Sequence, residues 1–186
     1  MPFIKTEFSG LFVFEPVVFE DSRGYFFESY NENIFQQQGI CTRWVQDNQS
    51  SSAYGVIRGL HYQLPPNDQT KLVRVLRGKI LDVVVDLRKG SPTYSRVFSI
   101  VLSAKNKKQL LVPKGFAHGF SVLSKSAEVL YKCDGFYNKE SEGGIVYNDP
   151  ALNIDWRIPA ADAIISDKDK VLPVLAACNN SFVFNG

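Results

Sequence analysis

At 186 residues the chain is long enough for one well-packed domain and short for two. Its 21 Lys and Arg nearly balance 19 Asp and Glu, so the formal charge of +2 lacks the basic excess of a general nucleic-acid binder. No apolar run approaches the ~20 residues a membrane helix needs, and the 14 Phe and 8 Tyr favour a β-rich interior.

In chain order, the amino terminus does not read as a signal peptide, because Lys5 and Glu7 interrupt its short apolar start. The three cysteines, Cys41, Cys133 and Cys178, are odd in number and lack metal-like spacing, so they read as reduced thiols of a cytoplasmic protein. Without secretion, the glycosylation sequons at Asn48 and Asn179 are chance matches.

Short β-prone runs then recur between turn residues at intervals of roughly ten, the signature of a sandwich or barrel. Residues 21–28 put Arg23 and Glu28 in an aromatic strand. Residues 32–38, ending at Gly39, predict one short helix with a glycine stop. Residues 71–76 and 79–88 flank Arg77-Gly78 and predict a hairpin. In its second strand Leu81, Val83, Val85 and Leu87 share one face, and Asp82, Asp86 and Arg88 the other. Residues 97–103 alternate again, 109–112 stop at Pro113, and 127–133 supply a strand with Val129, Tyr131 and Cys133 on one side. A second helix starts after Ser166 and is interrupted near Pro173. No linker or repeat divides the chain. The expected architecture is all-β: one jelly-roll sandwich or barrel domain over 1–186, with short peripheral helices and a helical extension from about 166.

Candidate chemistry centres on His61, one of only two histidines, in Arg58-Gly59-Leu60-His61-Tyr62-Gln63. Its unperturbed pKa suits proton transfer, although a histidine in a strand is also a common structural residue. No glycine-rich phosphate loop and no GxSxG elbow is present. Two histidines plus a carboxylate are a possible iron set, but Gln63 two residues after His61 leaves no His-x-His pair. Arg23 and Glu28 have opposite strand parity, so a bulge would be needed to bring both to one pocket. Taken singly, these two and Lys71 also fit an exposed strand face.

Five motifs nevertheless occur in order: Asp21-x-Arg-Gly-x-Phe-x-Glu, Gln46-Asp-Asn-x-Ser, Gly55-Val-x-Arg-Gly-Leu-His-Tyr-Gln, Pro113-x-Gly-Phe-Ala-His-Gly-Phe and Ser166-x-Lys-Asp169. Together they closely resemble the dTDP-4-dehydrorhamnose 3,5-epimerase family of the cupin superfamily, over about residues 12–169. The resemblance implies a cupin jelly roll, a homodimer, no metal and no cofactor. The implied substrate is a dTDP-linked 4-keto-6-deoxy-hexose, on the way to dTDP-L-rhamnose.

By the same resemblance His61 is the general base, Asp169 its partner, Tyr131 the acid on the opposite face, and Lys71 the cation beside the keto oxygen. Asp169 has a second reading, since Ser166-x-x-Asp169 also fits a helix capping box. Arg23 and Arg58 match phosphate contacts, for which guanidinium geometry is suited. Glu28, Gln46, Asp47, Asn48, His118, Tyr137, Glu142 and Lys168 match further ligand positions, with Tyr137 the aromatic that stacks near the nucleobase and Glu140 an alternative to Glu142. Two other activities stay open: a relative that epimerises carbon 3 alone or shifts the ketone to carbon 3, and a non-catalytic cupin that binds nucleotide sugars.

Overall fold

The computed structural model describes residues 2–185, and its regular structure is mostly strand. In order these are β1 (Phe3–Lys5), β2 (Phe12–Phe14), β3 (Phe19–Asp21), β4 (Gly24–Phe26), β5 (Gln46–Ala53), β6 (Val56–Gln63) and β7 (Lys71–Arg77). They continue with β8 (Lys79–Asp86), β9 (Val97–Ser103), β10 (Gln109–Val112), β11 (Phe116–Val122), β12 (Ser126–Cys133), β13 (Glu142–Gly144) and β14 (Ile164–Ile165). Among the described residues helix is confined to α1 (Glu32–Gln36), α2 (Asp167–Lys170) and three short 3-10 turns.

One sheet runs β1-β2-β10-β7-β12-β5 and the other β13-β6-β11-β8-β9, with β14 added beside β6. From β5 to β8 and again from β9 to β12 the chain alternates between the sheets, and across the sandwich β7 meets β9 and β12 meets β8. The expected all-β jelly-roll class is the one observed.

The hairpin expected around Arg77-Gly78 does not form. β7 pairs with β10 and β12, whereas β8 pairs with β9 and β11 in the other sheet. Gly78 is instead a corner between sheets: its φ is +80°, and a Cβ there would lie 2.0 Å from the Ser126 carbonyl oxygen. Alternation reveals a strand's faces but not its neighbour.

The faces of β8 are as read, yet both are buried. Leu81, Val83, Val85 and Leu87 pack with Ile57, Leu60, Tyr62, Ile145, Trp156 and Phe182. Ile80 and Val84 face the core between the sheets, and Asp82 and Asp86 are fully buried. Asp86 is compensated locally by Arg88, Ser91 and Thr93, which all donate to it.

Other departures are local. α1 stops two residues short of the expected end, before Gly39 at φ +78°. The expected aromatic strand 21–28 is a two-stranded hairpin, β3–β4, with Arg23 in its turn and Glu28 beyond it. Among the described residues after Ser166, helix is found only at α2 and in a turn at Leu175–Ala177; Val183 forms a parallel bridge with Lys89. All three cysteines are free thiols.

Candidate active site

Two cavities open between the sheets and meet. The larger, about 510 Å³, takes in Arg58, His61, Lys71, His118, Tyr131 and Asp169. The smaller, about 320 Å³, takes in Gln46, Asn48, Gln63, Tyr137 and Glu142. His61, Lys71 and Tyr131 line both, which puts these three at the junction.

Strand β6 supplies two of these groups through an irregularity. Arg58 and His61 are three residues apart and would point to opposite faces of a regular strand. Opposite them, β11 pairs His118 with His61 but Phe120 with Arg58, so β6 carries one extra residue between the two pairs. Arg58, His61 and Gln63 therefore face the cavities, while Ile57, Leu60 and Tyr62 belong to the hydrophobic cluster behind, with Ile57 and Tyr62 also reaching the cavity margins. Gly59 makes the bulge possible: its φ is +115°, and a Cβ would stand 2.6 Å from the Gly119 Cα.

His61 Nε2 lies 2.7 Å from Asp169 Oδ1. The other Asp169 oxygen accepts the Gly59 N–H at 3.3 Å, and the Asp169 N–H donates to Ser166 Oγ at 3.1 Å. Both readings of Asp169 thus hold in part: the serine caps α2, but the carboxylate goes to the histidine. Burial works to raise the Asp169 carboxyl, and the His61, Gly59 and Ser166 contacts outweigh it, holding the group below the ordinary carboxylate value.

Tyr131 stands on β12 with Val129, its ring against the core and one face open to both cavities. Burial, reinforced by Cys133, raises its phenol above the usual value, and nearby Arg58 opposes this. Burial also pushes the Lys71 ammonium below the usual lysine range, against Cys133 and Asp82, which favour its charge. Arg58 is exposed at the cavity wall and donates from Nε to Ser52 Oγ at 3.0 Å.

On β5, Gln46 and Asn48 face the smaller cavity and are joined at 2.9 Å. The Tyr137 N–H donates to Gln46 Oε1 at 3.1 Å and places that exposed ring at the rim. Glu142 and Lys168 form a 2.6 Å ion pair that bridges the two cavities. Burial raises the Glu142 carboxyl, but Lys168 more than offsets it. Glu140 sits exposed in a 3-10 turn outside both cavities, which favours Glu142 of the two.

Three expected ligand residues stand apart from these cavities. Asp47 has the outward parity of β5 and is paired with Lys132 at 3.0 Å. Arg23 is paired with Asp21 at 2.6 Å on the exposed β3–β4 hairpin. Glu28 accepts from Asn31 Nδ2 at 3.0 Å.

The sequence reading missed two residues. Asp82 holds His118, whose Nε2 lies 3.0 and 3.1 Å from its two oxygens. Strand parity separated Asp82 from Leu81 and Val83, but nothing local pointed to a histidine 36 positions away. Ser50 lines the larger cavity with a buried hydroxyl that has no partner among the described residues. Its signal was present, since it closes the Gln46-Asp-Asn-x-Ser motif. Among the described residues no three His, Cys, Asp or Glu side chains gather as a metal set.

A histidine–carboxylate pair, a half-buried phenol and a half-buried cation meeting at one point suit proton transfer beside a carbonyl. Comparison with known proteins gives the same direction. Residues 5–177 match the family described as dTDP-4-dehydrorhamnose 3,5-epimerase. The chain is 51% identical to the dTDP-4-dehydrorhamnose 3,5-epimerase of Shigella flexneri over 170 residues, covering 91% of this chain and 93% of that one. With the enzyme of the same name from Pseudomonas aeruginosa the identity is 54% over 160 residues, 85% and 87% of the two chains. The crystal structure of the dTDP-6-deoxy-D-glucose-3,5-epimerase from Legionella pneumophila, in complex with dTDP-4-keto-L-rhamnose, superposes with a TM-score of 0.90. That pair shares 45% identity over 94% of this chain and 93% of the other. By its motifs, its fold and these matches, the chain belongs to the dTDP-4-dehydrorhamnose 3,5-epimerase family.

Proposed function

We infer that the protein is an isomerase that inverts carbons 3 and 5 of dTDP-4-dehydro-6-deoxy-D-glucose, giving dTDP-4-dehydro-L-rhamnose for rhamnose biosynthesis. The observation that carries this reading is the 2.7 Å His61–Asp169 contact at a junction shared with Lys71 and Tyr131. Family membership supplies the substrate.

The chemistry follows from the residues. An ionised carboxylate can only accept, so the His61 nitrogen facing Asp169 carries the hydrogen. Nδ1 is left with the lone pair that takes the carbon-bound proton. Removing a proton beside a ketone demands stabilisation of the enolate, and Lys71 provides a cation where the oxygen charge develops. Such a donor commonly contributes ~3–4 kcal/mol as judged by deletion. Tyr131, held protonated by its burial, returns a proton from the opposite face. Carbons 3 and 5 both flank the 4-keto group, so one base, one acid and one oxyanion site serve both centres without a redox cofactor or a metal.

Arg58 is suited to the diphosphate. Gln46, Asn48, His118, Tyr137, Glu142 and Lys168 are offered as ligand contacts because they line the cavities.

We also propose a homodimer. The β3–β4 hairpin leaves Phe19, Tyr25 and Phe26 exposed at 62%, 59% and 66%, an apolar surface that a second copy would cover. Arg23 and Glu28 would then serve as ligand contacts only in a neighbouring chain's cavity. The chain is read as one epimerase domain over 1–186. Among the described residues no helix is long and apolar enough to cross a membrane, and three free thiols fit a cytoplasmic location.

The test is incubation with dTDP-4-dehydro-6-deoxy-D-glucose in deuterated water, with NMR location of the label. Deuterium at both carbons with inverted product is the expected result. Deuterium at carbon 3 alone would make the protein a 3-epimerase, and none at either carbon would leave a binding protein.

A further inference from the structure

The loop between β12 and β13 carries two exposed aromatic rings, Phe136 at 69% and Tyr137 at 56%. Neither belongs to a hydrophobic cluster, so apolar packing does not fix this loop. Its backbone is held instead by three glutamine amides that line the smaller cavity, Gln46, Gln63 and Gln69. Gln69 Nε2 donates to the Gly135 carbonyl at 2.7 Å. Gln63 Nε2 donates to the Phe136 carbonyl at 3.3 Å, and Gln63 Oε1 accepts the Asn138 N–H at 2.7 Å. Gln46 Oε1 accepts the Tyr137 N–H at 3.1 Å. Four successive residues are thus gripped by side chains, in a stretch where neither strand nor helix pairs the backbone.

Gln63 is the centre of this arrangement. It is 6% exposed, and its Nε2 also donates to the Asn67 carbonyl at 2.6 Å, which ties the turn after β6 to the loop after β12. A side-chain amide has two hydrogens to give, and here two carbonyls meet them, so Gln63 has no donor left for a ligand although it borders the cavity. Resting on the epimerase reading above, in which Tyr137 stacks near the nucleobase, we infer that Gln63 is a positioning residue for Tyr137. By bonding the peptide groups on both sides of Tyr137, it sets the ring at the cavity rim before the nucleotide arrives. The far end of the ring meets Glu142 through its hydroxyl. A ring ordered in advance spares the nucleotide the entropy of ordering it, worth about two- to tenfold in affinity for one side chain.

Gln63→Met keeps the length of the side chain and removes its amide. The dissociation constant of dTDP, measured by calorimetry, and the KM of the dTDP-sugar should both rise about three- to tenfold. At saturating substrate kcat should stay within about twofold, because only binding is weakened. In a Tyr137→Ala background, where the ring is gone, adding Gln63→Met should change the dTDP constant by less than about twofold. An unmoved dTDP constant in Gln63→Met overturns the inference. So does a full multiplication of the two effects in the double variant, or a tenfold fall in kcat with binding unmoved, which would tie Gln63 to His61 instead. Wild-type protein in deuterated water is the control: dTDP bound without exchange would refute the epimerase reading and leave the Gln63 comparison to be decided by calorimetry, and no dTDP bound would overturn both.

If Gln63→Met does not stay folded, Gln69→Met decides, since it releases only the Gly135 carbonyl of the same loop. It should raise the dTDP constant about twofold or more when Tyr137 is present and leave it unmoved in Tyr137→Ala. An equal rise in both, or none in either, overturns the inference.

Discussion

The Asp169 N–H donates to the Ser166 hydroxyl at 3.1 Å, so the cap that starts α2 also fixes where the Asp169 carboxylate can point. A helix of four residues has little stability of its own, and its orientation depends on such contacts. Ser166→Ala should cost about 1 kcal/mol of stability, the usual worth of an N-cap hydroxyl. It should lower kcat several-fold without weakening dTDP binding. Thermal melts and steady-state kinetics on one preparation check both. An unchanged kcat would show that Asp169 is positioned by His61 and Gly59 alone.

His61→Asn should abolish deuterium exchange at both carbons. Binding of dTDP, followed by calorimetry, should remain, since Arg58 holds its own place through Ser52. Retention of more than a small fraction of wild-type exchange would remove His61 from the role of base.

Tyr131→Phe separates taking a proton from giving one back. With His61 and Lys71 intact the enolate still forms, and His61 can return a solvent proton to the face it came from. Deuterium should therefore enter carbon 3 while inverted product is sharply reduced. Undiminished inversion would make Tyr131 a packing residue. Loss of exchange and inversion together, with dTDP still bound, would assign it to enolate formation.

Asp169 also carries a stability signature. Its carboxyl ionises at lower pH in the folded chain than in the unfolded one. The pair with His61 therefore contributes stability above the unfolded value, about 3.9 for aspartate, and loses it as pH falls through the folded value. Asp169→Asn should be less stable than wild type by about 1–3 kcal/mol at neutral pH. That gap should close as the pH drops below about 4. Asp86, also held low, titrates in both proteins and cancels in the difference. Urea melts across this range test it, and a gap that persists unchanged in acid would contradict it.

Much of this arrangement could be read from residues, though not all for the same reason. Strand limits such as 109–112 and the shared faces of 127–133 follow from alternation and from Pro113, which are local properties. The faces of β8 were equally plain. That its aspartate side is the inner one depends on the other sheet lying over it, and no local pattern carries that. For the same reason the Arg77-Gly78 turn looked like a hairpin. The motif match brought His61, Lys71, Tyr131 and Asp169 together, although strand parity alone would have put Arg58 and His61 on opposite faces. Asp47, adjacent to two cavity residues, shows the converse limit: a motif does not distinguish alternate sides of a strand.

The extra residue in β6 sets a spacing as well as a direction. Deleting one residue between Arg58 and His61 would leave them two apart, still on one face of an evenly pleated strand and in step with His118 and Phe120 of β11. Both groups would go on facing the cavities, but the imidazole and the guanidinium would stand closer together along the strand. The separation between these two groups is therefore held by Gly59, where a Cβ would stand 2.6 Å from the Gly119 Cα, so that a one-letter change at this glycine reaches both groups at once.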